Sequence, residues 1–327
     1  MLQVLKPPAM RHYLDFEKPI AELEGKIDEL RKMSEADGLN IAEEVVKLTE
    51  KSERQLRATY ARLTPWQKTQ VARHPDRPKA SDYLATLITE FTPLAGDRAF
   101  ADDAAVVGGL GRYHGRPVMA IGTEKGDDTE SRVQHNFGMA RPEGYRKARR
   151  LVELAGRFGL PVLTFVDTSG AFPGIDAEAR GQAEAIARSI EACLVAPVPL
   201  VATIIGEGGS GGAIALAAGD AVLMLEHAIY SVISPEGCAA ILWKDSAQAA
   251  AAAEALKLTA EDLRRLGLID AIVAEPLGGA HRDPTATIAA VDEAVTAALA
   301  PLAALDVAAL TARRREKYLE MGREALG

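Results

Sequence analysis

The chain has 327 residues, 48% hydrophobic and 26% charged, which is an ordinary globular composition with length enough to bury a large core. Its net charge of -8 argues against nucleic acid as the main partner. Two cysteines, Cys193 and Cys238, form no C-x-x-C unit and are too few for a zinc ribbon, so they read as buried apolar residues in a reducing compartment. Aromatic residues make up only 5%, so the core must be mostly Ala, Val, Leu and Ile. The opening stretch MLQVLKPPAMRHYLDFEKPI has no apolar core of the signal-peptide kind. The longest apolar stretches are broken by Gly, Pro or charge well short of the roughly 20 residues a membrane span needs. The expectation is a soluble, cytoplasmic protein with no membrane contact.

Residues 16–33 read as a helix, with Ile20, Leu23, Ile27 and Leu30 at the three-four spacing of a coiled-coil seam. Ile41, Val45, Leu48 and Leu56 predict a second, antiparallel helix. So short a pair is marginal alone and is expected to pack on the main body or on another subunit. His74-Pro75-Asp76-Arg77-Pro78 closes this region. Residues 105–110 and 118–121 are β-like, and the polar run EKGDDTESRVQHN at 124–136 reads as a loop or lid. A helix at 145–158, a buried strand at 161–166, a turn at 167–174 and a long helix at 177–192 follow. The pattern then repeats, with a strand at 199–205, a glycine loop at 206–213 and a helix at 213–218. Strands at 221–225 and 229–233 and helices at 235–243 and 246–257 complete this part. Two β-turn-α units joined by such short connections predict parallel strands in an α/β architecture. Arg313-Arg314-Arg315 reads as a solvated helix face.

The glycine stretch GEGGSGGA, Gly206 to Ala213, supports two chemistries. Gly208-Gly209-Ser210-Gly211-Gly212 fits G-x-S-x-G, the elbow of a serine nucleophile, with a strand before and a helix after. A hydrolase would draw its base from His227 or His281 and its acid from Asp270. The same glycines also suit a cradle. A residue without Cβ lets a ligand approach the main chain. The N–H groups opening the next helix lack helical acceptors and sit at the positive end of its dipole. Such donors stabilise an oxyanion, each by about 2.7–4 kcal/mol in a transition state. Tight helix–strand packing alone would also use these glycines. A second stretch, Asp167-Thr168-Ser169-Gly170-Ala171-Phe172-Pro173-Gly174, follows the neighbouring strand in the equivalent place. Loops at the C-terminal ends of adjacent parallel strands are expected to line one crevice. His74, His114, His135, His227 and His281 show no ligand spacing, so structural or surface roles are expected. Arg146, Lys147, Arg149 and Arg150 form a basic cluster, either a solvated helix face or a seat for a phosphate or an acidic surface. Glu207 reads as a solvated or salt-bridged carboxylate.

Long ordered strings then carry a family: LDFEKPIAELEGKI (14–27), VARHPDRP (71–78), FTPLAGDRAFADD (91–103), NFGMARPEGYRKA (136–148), GEGGSGGA (206–213), YSVISPEGCAAILWKD (230–245) and EPLGGAHRDP (275–284). From about Tyr13 to the last helix the chain closely resembles the carboxyltransferase alpha subunits of bacterial acetyl-CoA carboxylase. It departs at Ser169, where the family's D-T-P-G-A-[YF]-P-G carries proline. The resemblance implies a crotonase-like spiral of ββα units in three parts: an N-terminal helical region (1–80), the carboxyltransferase domain (81–300) and a C-terminal helical tail (301–327). It implies transfer of a carboxyl group from carboxybiotin, held on a biotin carboxyl carrier protein, to acetyl-CoA, giving malonyl-CoA for fatty acid synthesis. A zinc-ribbon beta subunit would complete an α2β2 assembly, with biotin carboxylase in the full complex and no metal on this chain. Gly211 and Gly212 would offer N–H donors to carboxybiotin. Gly208, Gly209 and Ser210 would shape the approach, and Gly170, Ala171 and Gly174 would form the neighbouring wall. The rival readings are a serine hydrolase built on Ser210 and a non-catalytic assembly subunit. A crotonase-type hydratase lacks paired glutamates at the loop ends.

Overall fold

The computed structural model describes residues 11–37 and 42–323. Two long helices come first, α1 (Lys18–Asp37) and α2 (Ala42–Tyr60), packed on each other as their apolar stripes require. Ile20 and Ile27 of α1 and Leu56 of α2 are buried, and Leu23, Leu30, Val45 and Leu48 are half-buried. Ile41 lies outside the described residues. Two short helices follow, α3 (Pro65–Ala72) and α4 (Ala80–Leu87). A capping box between Thr64 and Gln67, with Pro65 in the first turn, starts α3.

An eight-stranded sheet then organises the body. Strands β1 (Thr89–Pro93), β2 (Val106–Tyr113) and β3 (Arg116–Thr123) run antiparallel. His114 (φ 46°) and Gly115 (φ 76°) form the two-residue hairpin between β2 and β3, the positive-φ pair that matches strand twist. Helices α5 (Thr129–Gln134) and α6 (Pro142–Phe158) lead to β4 (Val162–Thr168), which adds parallel to β3. Tyr145, Ala148, Leu151, Val152 and Ala155 form the buried stripe of α6, and Gly159 ends it in the left-handed conformation. The helices α7 (Ile175–Ala179) and α8 (Gln182–Val195) precede β5 (Leu200–Gly209), parallel to β4. Next come α9 (Ser210–Ala217), β6 (Ala221–Leu225) and β7 (Ile229–Ser231). The helices α10 (Pro235–Trp243), α11 (Ala249–Leu256) and α12 (Ala260–Arg265) then reach β8 (Ala271–Val273). The chain ends with α13 (Pro284–Leu302) and α14 (Val307–Glu320). Sheet order is β1-β2-β3-β4-β5-β6-β8, with β7 added to the far end of β5.

The α/β class therefore stands, but the sheet is mixed, because the hairpin strands add an antiparallel edge to the parallel centre. The polar run 124–136 holds a capped helix, since the Asp128 side chain accepts from the Ser131 N–H. The expected long helix at 177–192 breaks at Gly181 (φ 82°), giving α7 and α8. The expected glycine loop is the end of a strand and the start of a helix: β7 pairs with Glu207, Gly208 and Gly209 and so keeps them in the ladder. Helix α13 is long and apolar enough, by length and composition, to cross a membrane, although Asp292, Glu293 and Pro301 interrupt its apolar run as expected. Its Ile288, Val291, Val295, Leu299 and Leu302 are instead buried in the core, and the helix packs on β5, β6 and β8.

The arginine triplet is also not a solvated face. Arg313 and Arg315 are exposed, but Arg314 is 1% exposed. Its guanidinium is bidentate to Asp220 at 2.9 and 2.6 Å and donates to the carbonyls of Cys193, Ala196 and Val198. Asp220 also accepts the Leu200 N–H at 2.8 Å, so this one pair ties α14, the end of α8 and the start of β5 together. Both cysteines are free and buried.

Candidate active site

The ladder between β4 and β5 breaks where the two glycine-rich segments begin. Val166 pairs with Ile204, but Thr168 pairs with Gly208, so β5 carries two extra residues in that interval. This is a bulge, the device that re-aims a strand end. The Asp167 carboxylate fills its inner side and accepts the Glu207 N–H at 2.8 Å. A Cβ at Gly206 would stand 2.5 Å from that carboxylate, so only glycine fits. After the bulge the chain turns sharply into α9 through Ser210, a non-glycine residue at φ 54°.

The two segments meet at backbone contact. A Cβ at Gly209 would lie 2.2 Å from the Ser169 carbonyl oxygen. A Cβ at Gly212 would lie 2.8 Å from the Gly170 carbonyl carbon and 2.9 Å from the Ala171 nitrogen. Gly170 itself sits at φ 144°, and the Thr168 hydroxyl bonds both its N–H and its carbonyl. So Gly170 and Ala171 do form a wall against Gly209 and Gly212, but a closed one. Gly208 packs on the Tyr230 ring, 2.7 Å from where a Cβ would stand. Gly174 is apart from the others, capping α7 in a groove of about 310 Å3 with Phe172, Pro173 and Ile186. Gly211 differs again. It is half-buried, and a Cβ there would meet only Ile186, at 3.3 Å.

Ser210, Gly211 and Gly212 are the first three residues of α9, so their N–H groups have no acceptor one turn back. Among the described residues no loop, cap or side-chain acceptor takes them. Three donors at the positive end of a helix, beside a half-open glycine, are an arrangement chemically able to stabilise an oxyanion. The Ser210 turn also has the strained shape of a nucleophile elbow. Among the described residues the two candidate bases are engaged elsewhere: His227 lies edge-on to Tyr60 at 5.5 Å and His281 is stacked on His74 at 3.7 Å.

Beside this turn lies a charge network that the sequence reading missed. Lys125, just after β3, puts its Nζ 2.7 Å from both Asp167 Oδ1 and Glu207 Oε2. Arg73, just after α3, donates from Nε to Glu207 Oε1 at 2.6 Å and bonds Glu236 at the start of α10. Burial alone would raise the Glu207 pKa, but the charges of Lys125 and Arg73 outweigh it and hold the carboxyl at about 2. Glu207 is thus salt-bridged, one of its two expected states. The network lines a cavity of about 290 Å3 together with Lys79, Phe137 and Ser169.

The model of acetyl co-enzyme A carboxylase carboxyltransferase-like proteins matches residues 13–322. The curated acetyl-coenzyme A carboxylase carboxyl transferase subunit alpha of Acidiphilium cryptum (strain JF-5) is 72% identical over 313 residues, 96% of this chain and 98% of that one. The subunit of the same name from Gluconacetobacter diazotrophicus is 69% identical over 317 residues, 97% of this chain and 100% of that one. The chain belongs to the acetyl-CoA carboxylase carboxyltransferase alpha-subunit family. As such it is a transferase component.

Solved structures agree on the fold of this carboxyltransferase subunit. A transcarboxylase 12S chain, solved with hydrolysed methylmalonyl-coenzyme A bound, superposes with a TM-score of 0.56 at 20% identity, covering 69% of this chain. This chain spans only 42% of that one's length. A chain of a Pseudomonas malonate decarboxylase hetero-tetramer in complex with coenzyme A gives 0.55 at 17% identity, covering 68% of this chain and 91% of its own. These likenesses show a crotonase-like α/β carboxyltransferase fold.

The remaining candidates of the carboxyltransferase chain have structural partners. Arg146 pairs with Asp97 at 2.7 Å and Glu143 at 3.0 Å, and buried Lys147 bonds Asp102 and the Asp103 carbonyl. Arg150 donates to the carbonyls of Leu94, Ala95 and Gly96. These three clamp the segment before β2 onto α6, while Arg149 is a surface pair with Glu153. The cluster is therefore mostly neither a solvated face nor a free phosphate seat. His114 meets Asp292 and His135 meets the Ala104 carbonyl. Lys125 and Arg73 escaped notice because their partners lie 82 and 134 residues away in sequence.

Proposed function

We propose that this chain supplies one half of a shared carboxyl-transfer site, with the first turn of α9 as its oxyanion hole. The N–H groups of Gly211 and Gly212 would hold the ureido carbonyl oxygen of carboxybiotin, which gains negative charge as the carboxyl group departs. The observation that carries this reading is the set of unpaired N–H groups at Ser210, Gly211 and Gly212, with Gly211 open except toward Ile186. Carboxybiotin on a separate biotin carboxyl carrier protein supplies the activated carboxyl group, which acetyl-CoA accepts to become malonyl-CoA.

Within this reading Gly208 and Gly209 give β5 its close approach to Tyr230 and Ser169, and Ser210 makes the turn. Gly170 and Ala171 buttress α9, and Gly174 borders the adjoining groove. The thioester enolate needs a second set of donors, which we assign to a zinc-ribbon beta subunit in an α2β2 assembly. Residues 1–80 would supply subunit contacts, 81–300 the carboxyltransferase body and 301–327 a tail docked by Arg314. Biotin carboxylase completes the cycle, and the cytoplasm is the expected compartment.

The test is malonyl-CoA-dependent carboxylation of free biocytin, the reverse reaction, by this chain alone, by the beta partner alone and by the pair. Activity in the pair only supports a shared site. Full activity in the partner alone would leave this chain a scaffold.

A further inference from the structure

We propose that Lys125 is a positioning residue for carboxyl transfer: its ammonium locks the β5 bulge against β4 and so fixes the direction in which α9 presents its N–H groups. The inference rests on the oxyanion reading above.

The geometry is specific. The extra residues of β5 have no partner in the β4 ladder, so side chains must hold that edge. Asp167 does so by accepting the Glu207 N–H, and it crowds the Cα of Gly206. That arrangement brings the Asp167 and Glu207 carboxylates onto one ammonium. Lys125 Nζ is 2.7 Å from an oxygen of each, and it is the cation shared by both. Without it no cation would bridge the two carboxylates across the bulge: Arg73 pairs with Glu207 and is itself shared with Glu236, and Lys79 and Arg77 act on Asp167 only through their field. Like charges at such range repel strongly in a partly buried site. The strain has a short path to the donors. From Glu207 to Gly211 the chain passes only through Gly208, Gly209 and the φ 54° turn of Ser210, so a shift of the bulge is passed on within four residues. β7 holds the outer edge of this stretch, and Lys125 holds the inner one.

The experiment compares pairs assembled from the beta partner and wild-type, Lys125→Met, Lys125→Arg or Gly211→Pro chains, measuring kcat, both KM values and the melting temperature. Misaimed donors cost rate more than ground-state binding, so Lys125→Met should lower kcat by about 10²-fold with unchanged KM for malonyl-CoA. Lys125→Arg, which keeps the charge, should recover most of kcat. Gly211→Pro removes one donor and should lose about 10²–10³-fold in kcat. An unchanged kcat in Lys125→Met overturns the proposal. So does a raised KM for malonyl-CoA at constant kcat, which would make Lys125 a substrate contact in the cavity it lines. Failure of Lys125→Arg to recover, with melting lowered in both variants, would reduce the residue to a structural role. A Gly211→Pro loss without a Lys125→Met loss sinks the positioning role alone, whereas a fully active Gly211→Pro pair sinks the oxyanion reading and this proposal with it.

Discussion

Gly212 shows why a glycine motif cannot be tested with any bulky substitution. A Cβ there would press into the Gly170 carbonyl carbon and the Tyr145 hydroxyl, each 2.8 Å away. Gly212→Val should therefore lose folded complex as well as activity, and it cannot separate packing from chemistry. Gly211 can, because Gly211→Ala keeps the N–H and meets only Ile186. Arg314 gives a clean contrast of the same kind. Arg314→Leu leaves Asp220 as a buried unpaired carboxylate, so urea unfolding should show a loss of about 3–5 kcal/mol. Its exposed neighbours tell the opposite story: Arg313→Ala and Arg315→Ala should stay within about 0.5 kcal/mol of wild type. Equal effects at all three positions would contradict the structure. The sequence alone suggested a solvated triplet, because three adjacent arginines carry no signal of which one faces an aspartate 94 residues away.

At the scale of elements, periodicity was enough for the helices that bury one stripe. α1, α2 and α6 lie where their apolar spacing puts them. The parallel pair β4 and β5 was legible from two apolar runs each followed by glycine. The strand-to-helix join was not. Four residues that look like a loop by composition, Gly206 to Gly209, are strand, and three of them are held by β7, whose three residues are too few to announce a partner. The bulge is equally silent in sequence, because it depends on Asp167 reaching across from another strand. Asp167→Ala should relax it: the Glu207 N–H loses its acceptor and Lys125 loses one carboxylate. We expect kcat to fall and the melting temperature of the pair to drop modestly, since this bond is buried and an N–H left without its acceptor costs about 1–3 kcal/mol. A large drop in melting temperature with unchanged kcat would contradict that.

For the whole molecule, the joint between the N-terminal helices and the body is built around neutral histidines. His74 Nε2 is 2.9 Å from the His12 carbonyl, its ring stacks on His281, and His227 meets Tyr60. Burial pushes all three histidines below their ordinary value of 6.5, His281 to about 2, with the charge of Arg77 adding to the shift there. A base whose folded pKa is depressed binds fewer protons folded than unfolded between the two values. Stability is then complete above pH 6.5 and falls as pH drops below it, by up to about 1.4 kcal/mol per pH unit for each histidine. Melting temperature should hold from pH 7.5 to about 6.5 and decline from there to pH 5.5, and His281→Phe should flatten that decline; a flat wild-type profile would be incompatible with the joint described. Glu207 acts in the same direction but far lower, its ion pairs failing only as pH falls from 4.5 toward 2.

The central claim is that this chain works through backbone donors in a site completed by a partner. The most direct measurement is kcat for malonyl-CoA-dependent biocytin carboxylation by the assembled pair, with Gly211→Pro, Gly211→Ala and Ser210→Ala chains side by side. The account predicts that Gly211→Pro loses by far the most, while the two alanine variants keep most of the rate. Abolition of activity by Ser210→Ala, with Gly211→Pro still active, would contradict it and return the turn to a serine nucleophile.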